Sequence, residues 1–425
     1  MISLRRVVVV VGLGLALVLN LSGAAMAATV ATTPASWTPY LRTSPADQVV
    51  EELEPCNGTM YAVGTISSVA RGSATYARSN AFSFSQTTGV MTGWAPKLNA
   101  PVRSIAFSPD CSVAYLGGSF TTANGVAAAH LVAVDTSTGA VRPGFADTVN
   151  GAVNTVRYTH GLVVIGGRFT KVNGVSRSAM ASLNPTTGAV TAYLDLTFSG
   201  TYPGTGSTMV YNSQLSHSGN KLLIEGIFTT IAGSPRQQVA MLDLGASSVS
   251  LDGWTTSELA QPCGRAWYGR AAGWSPNDGT VYVAATGANP PTGTGTGLCD
   301  AVSAFPATSS SVHHTWVNYT GCDSYYSVVA DADNVYVSGH ERWADNPQGC
   351  DHAGPGAVSR PGIASMDPTT GLATAWNPTR SLGHGSHQLL LTPVGLWVAS
   401  DTFTDGKAQM CGGKWNHGGI CFLPY

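Results

Sequence analysis

Seven times along this chain an apolar run closes on small or polar residues: MYAVGTI from Met60, AYLGGSF from Ala114, VVIGGRF from Val163, LLIEGIF from Leu222, VYVAATG from Val281, VYVSGHE from Val335 and LWVASDT from Leu396. Successive starts lie 49 to 61 residues apart. A period of that size marks a repeat architecture, in which one unit cannot bury its apolar face alone and leans on its neighbours.

The second unit shows how the repeat is built. Val102-Arg103-Ser104-Ile105-Ala106-Phe107 alternates and predicts a strand with one buried face. Ser108-Pro109-Asp110 is a turn. Residues 114–120 are almost continuously apolar, as in a strand covered on both faces. A loop with Asn124-Gly125 follows, then a third strand over 130–134, a turn over 135–139 and a short fourth strand ending on Phe145. The third unit copies this order, with Asn173-Gly174, the turn Asn184-Pro185-Thr186-Thr187-Gly188 and the aromatic Tyr193. Calcium in these Asp/Asn-Gly turns is the weaker reading, because calcium-binding repeats of that type have a nine-residue period.

Four strands per unit and seven units, in a chain with 50 glycines and 23 prolines, predict an all-β fold. The expected architecture is a seven-bladed β-propeller of four-stranded antiparallel blades, with second strands starting near 60, 114, 163, 222, 281, 335 and 396. The last unit ends at Tyr425, where a third strand finishes. Trp37-Thr38-Pro39 matches the fourth-strand signatures Trp94-Ala95-Pro96 and Trp376-Asn377-Pro378. The N-terminal strand is therefore expected to complete the last blade and close the ring, which removes an exposed sheet edge. A linear solenoid is the alternative.

Arg5 and Arg6, an apolar stretch over 7–21 and Ala25-Met26-Ala27 form a secretory signal peptide expected over 1–27. A membrane anchor is the competing reading, and Gly12, Gly14 and Asn20 interrupt its apolar core. Residues 28–425 are expected as one extracellular, monomeric propeller, with no further membrane span. A net charge of −2, with charged residues at 10% of the chain, gives no drive toward nucleic acid.

Eight cysteines in an exported chain predict disulfides. Cys56 and Cys111 fall in equivalent turns of neighbouring units and should pair. Cys263 and Cys322 precede first strands, while Cys299 and Cys350 lie in second-to-third-strand loops. The expected bridges are Cys56–Cys111, Cys263–Cys299, Cys322–Cys350 and Cys411–Cys421; the middle four also admit other pairings, such as Cys263–Cys322.

Functional candidates gather where the loops of blades five to seven are long. His340-Glu341-Arg342-Trp343-Ala344-Asp345 replaces the plain endings of earlier units with an imidazole, an acid, a guanidinium and an indole. His340, Glu341 and Asp351 are candidates for acid–base catalysis. Arg342, Trp343, Asp345, Asp300, Asp323 and His387 are candidates for binding, with an Arg fork for a carboxylate or sugar hydroxyls and a Trp platform for stacking. In the competing structural reading, Arg342 pairs with Glu341 or Asp345 to order the loop and Trp343 packs beneath it. A metal held by His340, Asp351 and His352 is the weaker alternative, and no metal or cofactor is expected.

The segments Leu298-Cys299-Asp300, Thr315-Trp316-Val317-Asn318-Tyr319-Thr320-Gly321, Val335 onward to Trp343, Pro355 onward to Gly362, and Gly395-Leu396-Trp397-Val398 resemble a group of secreted actinobacterial β-propeller proteins. The resemblance spans nearly all of residues 28–425 and implies fold and export, but no reaction. The usual form of the blade-six motif has Gln in place of Glu341, which argues against this residue as a catalytic acid. It also lacks Cys322 and Cys350, which suits an added local bridge. The expected function is an extracellular binding module for a glycan or cell-wall component. A glycan-cleaving hydrolase or lyase, and a scaffold without a ligand, are the alternatives.

Overall fold

The computed structural model describes residues 29–42, 46–146, 148–202, 204–260, 263, 269–287, 297–402, 410–411, 414–415 and 418–425. The leader expected over 1–27 lies outside them. Among the described residues, seven antiparallel meanders follow one another, with no α-helix. Their first, second and third strands are Val49–Cys56, Thr59–Thr65 and Ala81–Ser85 in sheet 1, and Val102–Phe107, Val113–Gly118 and Leu131–Asp135 in sheet 2. Sheet 3 has Val153–Thr159, Leu162–Gly167 and Met180–Leu183, and sheet 4 has Met209–Leu215, Lys221–Ile227 and Val239–Leu244. Sheet 5 has Gly269–Trp274, Thr280–Ala285 and Ala301–Pro306; sheet 6 has Tyr325–Ala330, Val335–Gly339 and Ile363–Met366. Sheet 7 ends the series with Ser386–Thr392, Gly395–Ser400 and Ile420–Pro424.

The apolar runs are the second strands, and their lack of alternation has a simple cause. Leu222 and Ile224 enter a core shared with sheet 3, whereas Leu223, on the opposite face, enters one shared with sheet 5. Val163 and Ile165 face sheet 2 in the same way, and Val164 faces sheet 4. Each buried aliphatic side chain contributes about 1.5–3 kcal/mol. Such a shared core joins every consecutive pair of sheets. One further core joins Val50, Leu53 and Met60 of sheet 1 to Trp397, Ile420 and Phe422 of sheet 7.

Among the described residues, fourth strands are regular only in sheets 4 and 5, as Val249–Leu251 and Trp316–Tyr319. Elsewhere the expected strand shrinks to one bridge, such as Phe84–Met91, Val134–Val141, Leu183–Val190 and Met366–Ala373. Proline close behind, as at Pro96, Pro143 and Pro378, supplies no ladder N–H and cuts the pairing short. The aromatic side chain that follows ties the sheet to the next one. Trp94 Nε1 donates to the Asp135 carbonyl at 3.2 Å, Trp254 to Pro306 at 3.0 Å and Trp316 to Pro368 at 2.9 Å. The Tyr193 hydroxyl donates to Gly245 at 2.9 Å.

The N-terminal segment lies along the last strand. Ala31 N donates to the Pro424 carbonyl at 2.7 Å and Ala35 N to Phe422 at 2.8 Å. The Trp37 ring sits 5.6 Å from Phe422 and 5.9 Å from Trp397. Its carbonyl meets Gly89 of sheet 1 so closely that a Cβ there would lie 2.2 Å away, and Gly89 also has φ +67°. The four disulfides are Cys56–Cys111, Cys263–Cys299, Cys322–Cys350 and Cys411–Cys421, as expected from the sequence. No helix among the described residues is long and apolar enough to cross a membrane.

Candidate functional site

The charged loop of sheet 6 is held mostly by its own side chains. Arg342 makes a bidentate pair with Asp323, Nε to Oδ2 at 2.8 Å and Nη2 to Oδ1 at 2.8 Å, and reaches Asp351 with the same nitrogen. Asp323, through this hydrogen bond, holds the guanidinium firmly protonated against the cost of burial. Trp343 lies under the guanidinium, its ring centroid 4.8 Å from Cζ. Arg342 therefore orders the loop through Asp323 and Asp351, not through Glu341 or Asp345. The Asp345 carboxylate accepts from the Asn318 side chain and, at 3.2 Å, from Ala373 N. Asp300 accepts from Ser324 Oγ at 2.9 Å and is buried.

Glu341 corrects the expectation of a catalytic acid. It is 0% exposed, and neither carboxylate oxygen has a hydrogen-bond partner. It occupies the position filled by the buried Phe120, Phe169 and Phe228 in sheets 2 to 4, so no substrate reaches it. Burial pushes its pKa well above the carboxylate range. His340 is likewise not a free base. Its Nε2 accepts from Ser324 N at 3.1 Å, which leaves Nδ1–H to donate to the Tyr326 hydroxyl at 2.9 Å. Burial lowers its pKa and keeps it neutral. No cluster of three metal-ligating side chains occurs among the described residues.

The open space lies elsewhere. A cavity of about 700 Å³ is lined by the first strands of all seven sheets. Every one of these strands carries a bulge, a residue unpaired in the register with its second strand. The bulged residues are Glu51, Arg103, Asn154, Tyr211, Arg270, Tyr326 and His387, and all seven line the cavity. A bulge re-aims a side chain and increases local twist. It also explains the small residue that ends most apolar runs. A Cβ on Gly118 would lie 2.3 Å from the Pro101 carbonyl beside the bulge, and Gly64, Gly167, Gly226 and Gly339 occupy the same seat.

The next residue of several first strands braces the neighbouring one. Glu52 Oε2 accepts from Ile105 N at 2.8 Å, Ser104 Oγ from Val156 N at 2.9 Å, Ser327 Oγ from Leu389 N at 2.7 Å and Gln388 Oε1 from Leu53 N at 2.6 Å. The last of these joins sheet 7 to sheet 1. Glu52 also pairs with Arg157 at 3.0 Å. Burial opposes ionisation of Glu51, but His387, 2.8 Å away, together with Arg103 and Arg270 holds its carboxyl below the usual range. Glu54 behaves oppositely, for burial and the Glu52 charge push it up to about 8. Arg270 lies over the Tyr326 ring with Cζ 4.4 Å from the centroid. Of the candidates read from the sequence, His387 alone lines the cavity, and His340 touches it through Tyr326.

No family model and no curated protein matches this sequence. Among solved structures, the WD40 repeats of RRP9 are similar at 10% identity with a TM-score of 0.54, over 92% of this chain and 98% of that one. The structure of U3-55K matches equally, at 10% identity and a TM-score of 0.54, over 92% of this chain and 100% of that one. At such identity the likeness establishes an all-β fold of the β-propeller type and nothing about activity.

Proposed function

We propose that residues 28–425 form a closed, seven-bladed extracellular propeller that acts as a binding module, with its ligand in the axial cavity. The carrying observation is that all seven first strands bulge to present a polar or aromatic side chain to one shared cavity. Closure is supported by the core shared between sheets 1 and 7 and by the N-terminal segment along the last strand. Four disulfides, the leader over 1–27 and the resemblance to secreted propellers support export. A glycan or cell-wall fragment suits a hydroxyl-rich, hydrogen-bonding wall. Catalysis on such a ligand is a second reading, favoured by the meeting in one cavity of ionised Glu51, Glu54 raised to about 8, and His387.

The test is calorimetric titration of the mature protein with glycans and peptidoglycan fragments, with cleavage products monitored in the same samples. Tyr211→Ala with Asn154→Ala should weaken binding at least tenfold, while Arg342→Ala with Trp343→Ala should leave it within twofold. Retention of no fragment, or the reverse pattern, sinks the axial site. Product release abolished by Glu54→Gln would favour the catalytic reading.

A further inference from the structure

We propose that the ring of bulged residues recognises a saccharide carrying one carboxylate, and that Arg103 takes that carboxylate. This rests on the axial-site reading above and adds the ligand's charge and the residue that reads it.

Most bulged residues are already engaged by the protein. Glu51 and His387 pair with each other, Arg270 covers Tyr326, and Tyr326 is held by His340. Asn154 Nδ2 donates to the Val210 carbonyl at 2.9 Å. Arg103 differs. It is exposed, it lines the cavity, and it makes no hydrogen bond or ion pair among the described residues. A guanidinium presents donors in a flat fork that fits a carboxylate through two parallel bonds. Glu51 is the carboxylate that acts on it, and Glu51 is itself bonded to His387 at 2.8 Å, so the hydrogen-bond donors of the Arg103 fork are left for a ligand.

The neighbouring groups narrow the ligand. The bulge tier contains no aliphatic side chain, which disfavours a lipid tail or an apolar ligand. Its amide, phenol and imidazole groups match hydroxyls, and Tyr rings offer faces for a sugar ring. The guanidinium groups of Arg103, Arg157 and Arg270 face this cavity against the carboxylates of Glu51 and Glu52, and that small positive excess is matched by a single carboxylate better than by a more highly charged phosphate ester. A cavity of about 700 Å³ takes a short saccharide rather than a single small ion.

The experiment compares three probes on the mature protein by calorimetry: a glucuronate-containing disaccharide, the neutral disaccharide with that carboxyl reduced to an alcohol, and a glucose phosphate ester. The acidic disaccharide should bind at least tenfold more tightly than the neutral one. Arg103→Ala should abolish that preference without changing thermal stability, and Arg103→Lys should retain part of it. Equal binding of acidic and neutral probes, preference for the phosphate ester, or a preference that survives Arg103→Ala overturns the proposal. The first of these outcomes leaves the axial binding site standing. Binding of no saccharide at all overturns both.

Discussion

The connection between second and third strands in sheet 3 and its counterpart in sheet 6 share one frame built from different residues. In sheet 3, Phe169 is buried, Asn150 Oδ1 accepts from Thr170 N and Lys171 N at 2.9 Å each, and Asn173 turns the chain at φ +48°. Asn173 then holds Thr148 N at 2.8 Å and the Gly188 carbonyl at 2.8 Å. In sheet 6, Glu341 takes the Phe position, and Asp323 accepts from Arg342 N at 3.1 Å as Asn150 does from its partners. Asp345, at φ +53°, stands where Asn173 stands, but it accepts from the Asn318 side chain and from Ala373 N, and Asn318 in its place donates to the Gly371 carbonyl at 2.8 Å. Charged residues have entered neutral framework positions, and Arg342, Asp351 and the Cys322–Cys350 bridge accompany them. A polar cluster in a repeat protein is thus to be compared with its sister repeats before a function is assigned to it.

Four measurements break or sharpen this comparison. The largest effect should come from replacing Cys322 and Cys350 by Ser, costing about 2–4 kcal/mol in denaturant unfolding; a loss below about 0.5 kcal/mol would mean the charged loop holds itself. Asp323→Ala strands the Arg342 N–H and guanidinium and should cost about 1–3 kcal/mol, more than Asn150→Ala in sheet 3. A double-mutant cycle with Arg342→Ala isolates the pair. Glu341→Leu should instead stabilise, by about 1 kcal/mol, because it removes an unpaired buried carboxyl from an aromatic seat. The smallest change is expected of Asp345→Asn, within about 0.5 kcal/mol, since it restores the residue of sheets 2 and 3.

Glu341 also carries a pH signature. The folded protein keeps its proton while the unfolded chain releases it above about pH 4.3. The native state then binds more protons, so this residue's contribution to stability falls as pH rises from there toward neutrality and beyond. Melting temperatures measured from pH 4 to 8 should decline less steeply for Glu341→Leu than for the parent. Parallel curves would show the carboxyl to be ionised in its seat.

The second strands were legible because a strand pressed between two sheets must be apolar on both sides, and a run such as Leu222-Leu223-Ile224 has no other use. The Cys56–Cys111 bridge was legible because repetition puts both residues in equivalent turns. Fourth strands were over-read: the aromatic and proline signature marks a seam contact rather than a ladder. The cavity ring was missed because a bulge exists only relative to a partner. Glu51 stands out once Val50 is known to face Gly64 and Glu52 to face Val63. A signal was present all the same. Glu51, Arg103, Asn154 and Tyr211 each follow a valine placed ten or twelve residues before an apolar run.

The contact of Ala31 with Pro424 brings the first and last described parts of the polypeptide within one hydrogen bond. A short peptide linker could bridge them, and new termini could then be cut at the exposed Asp333 turn. Such a circular permutant would keep every inter-sheet core while changing only which sheet is made first. Its recovery of the parent fold would locate the specificity of assembly in the seams between sheets rather than in the order in which the sheets are synthesised.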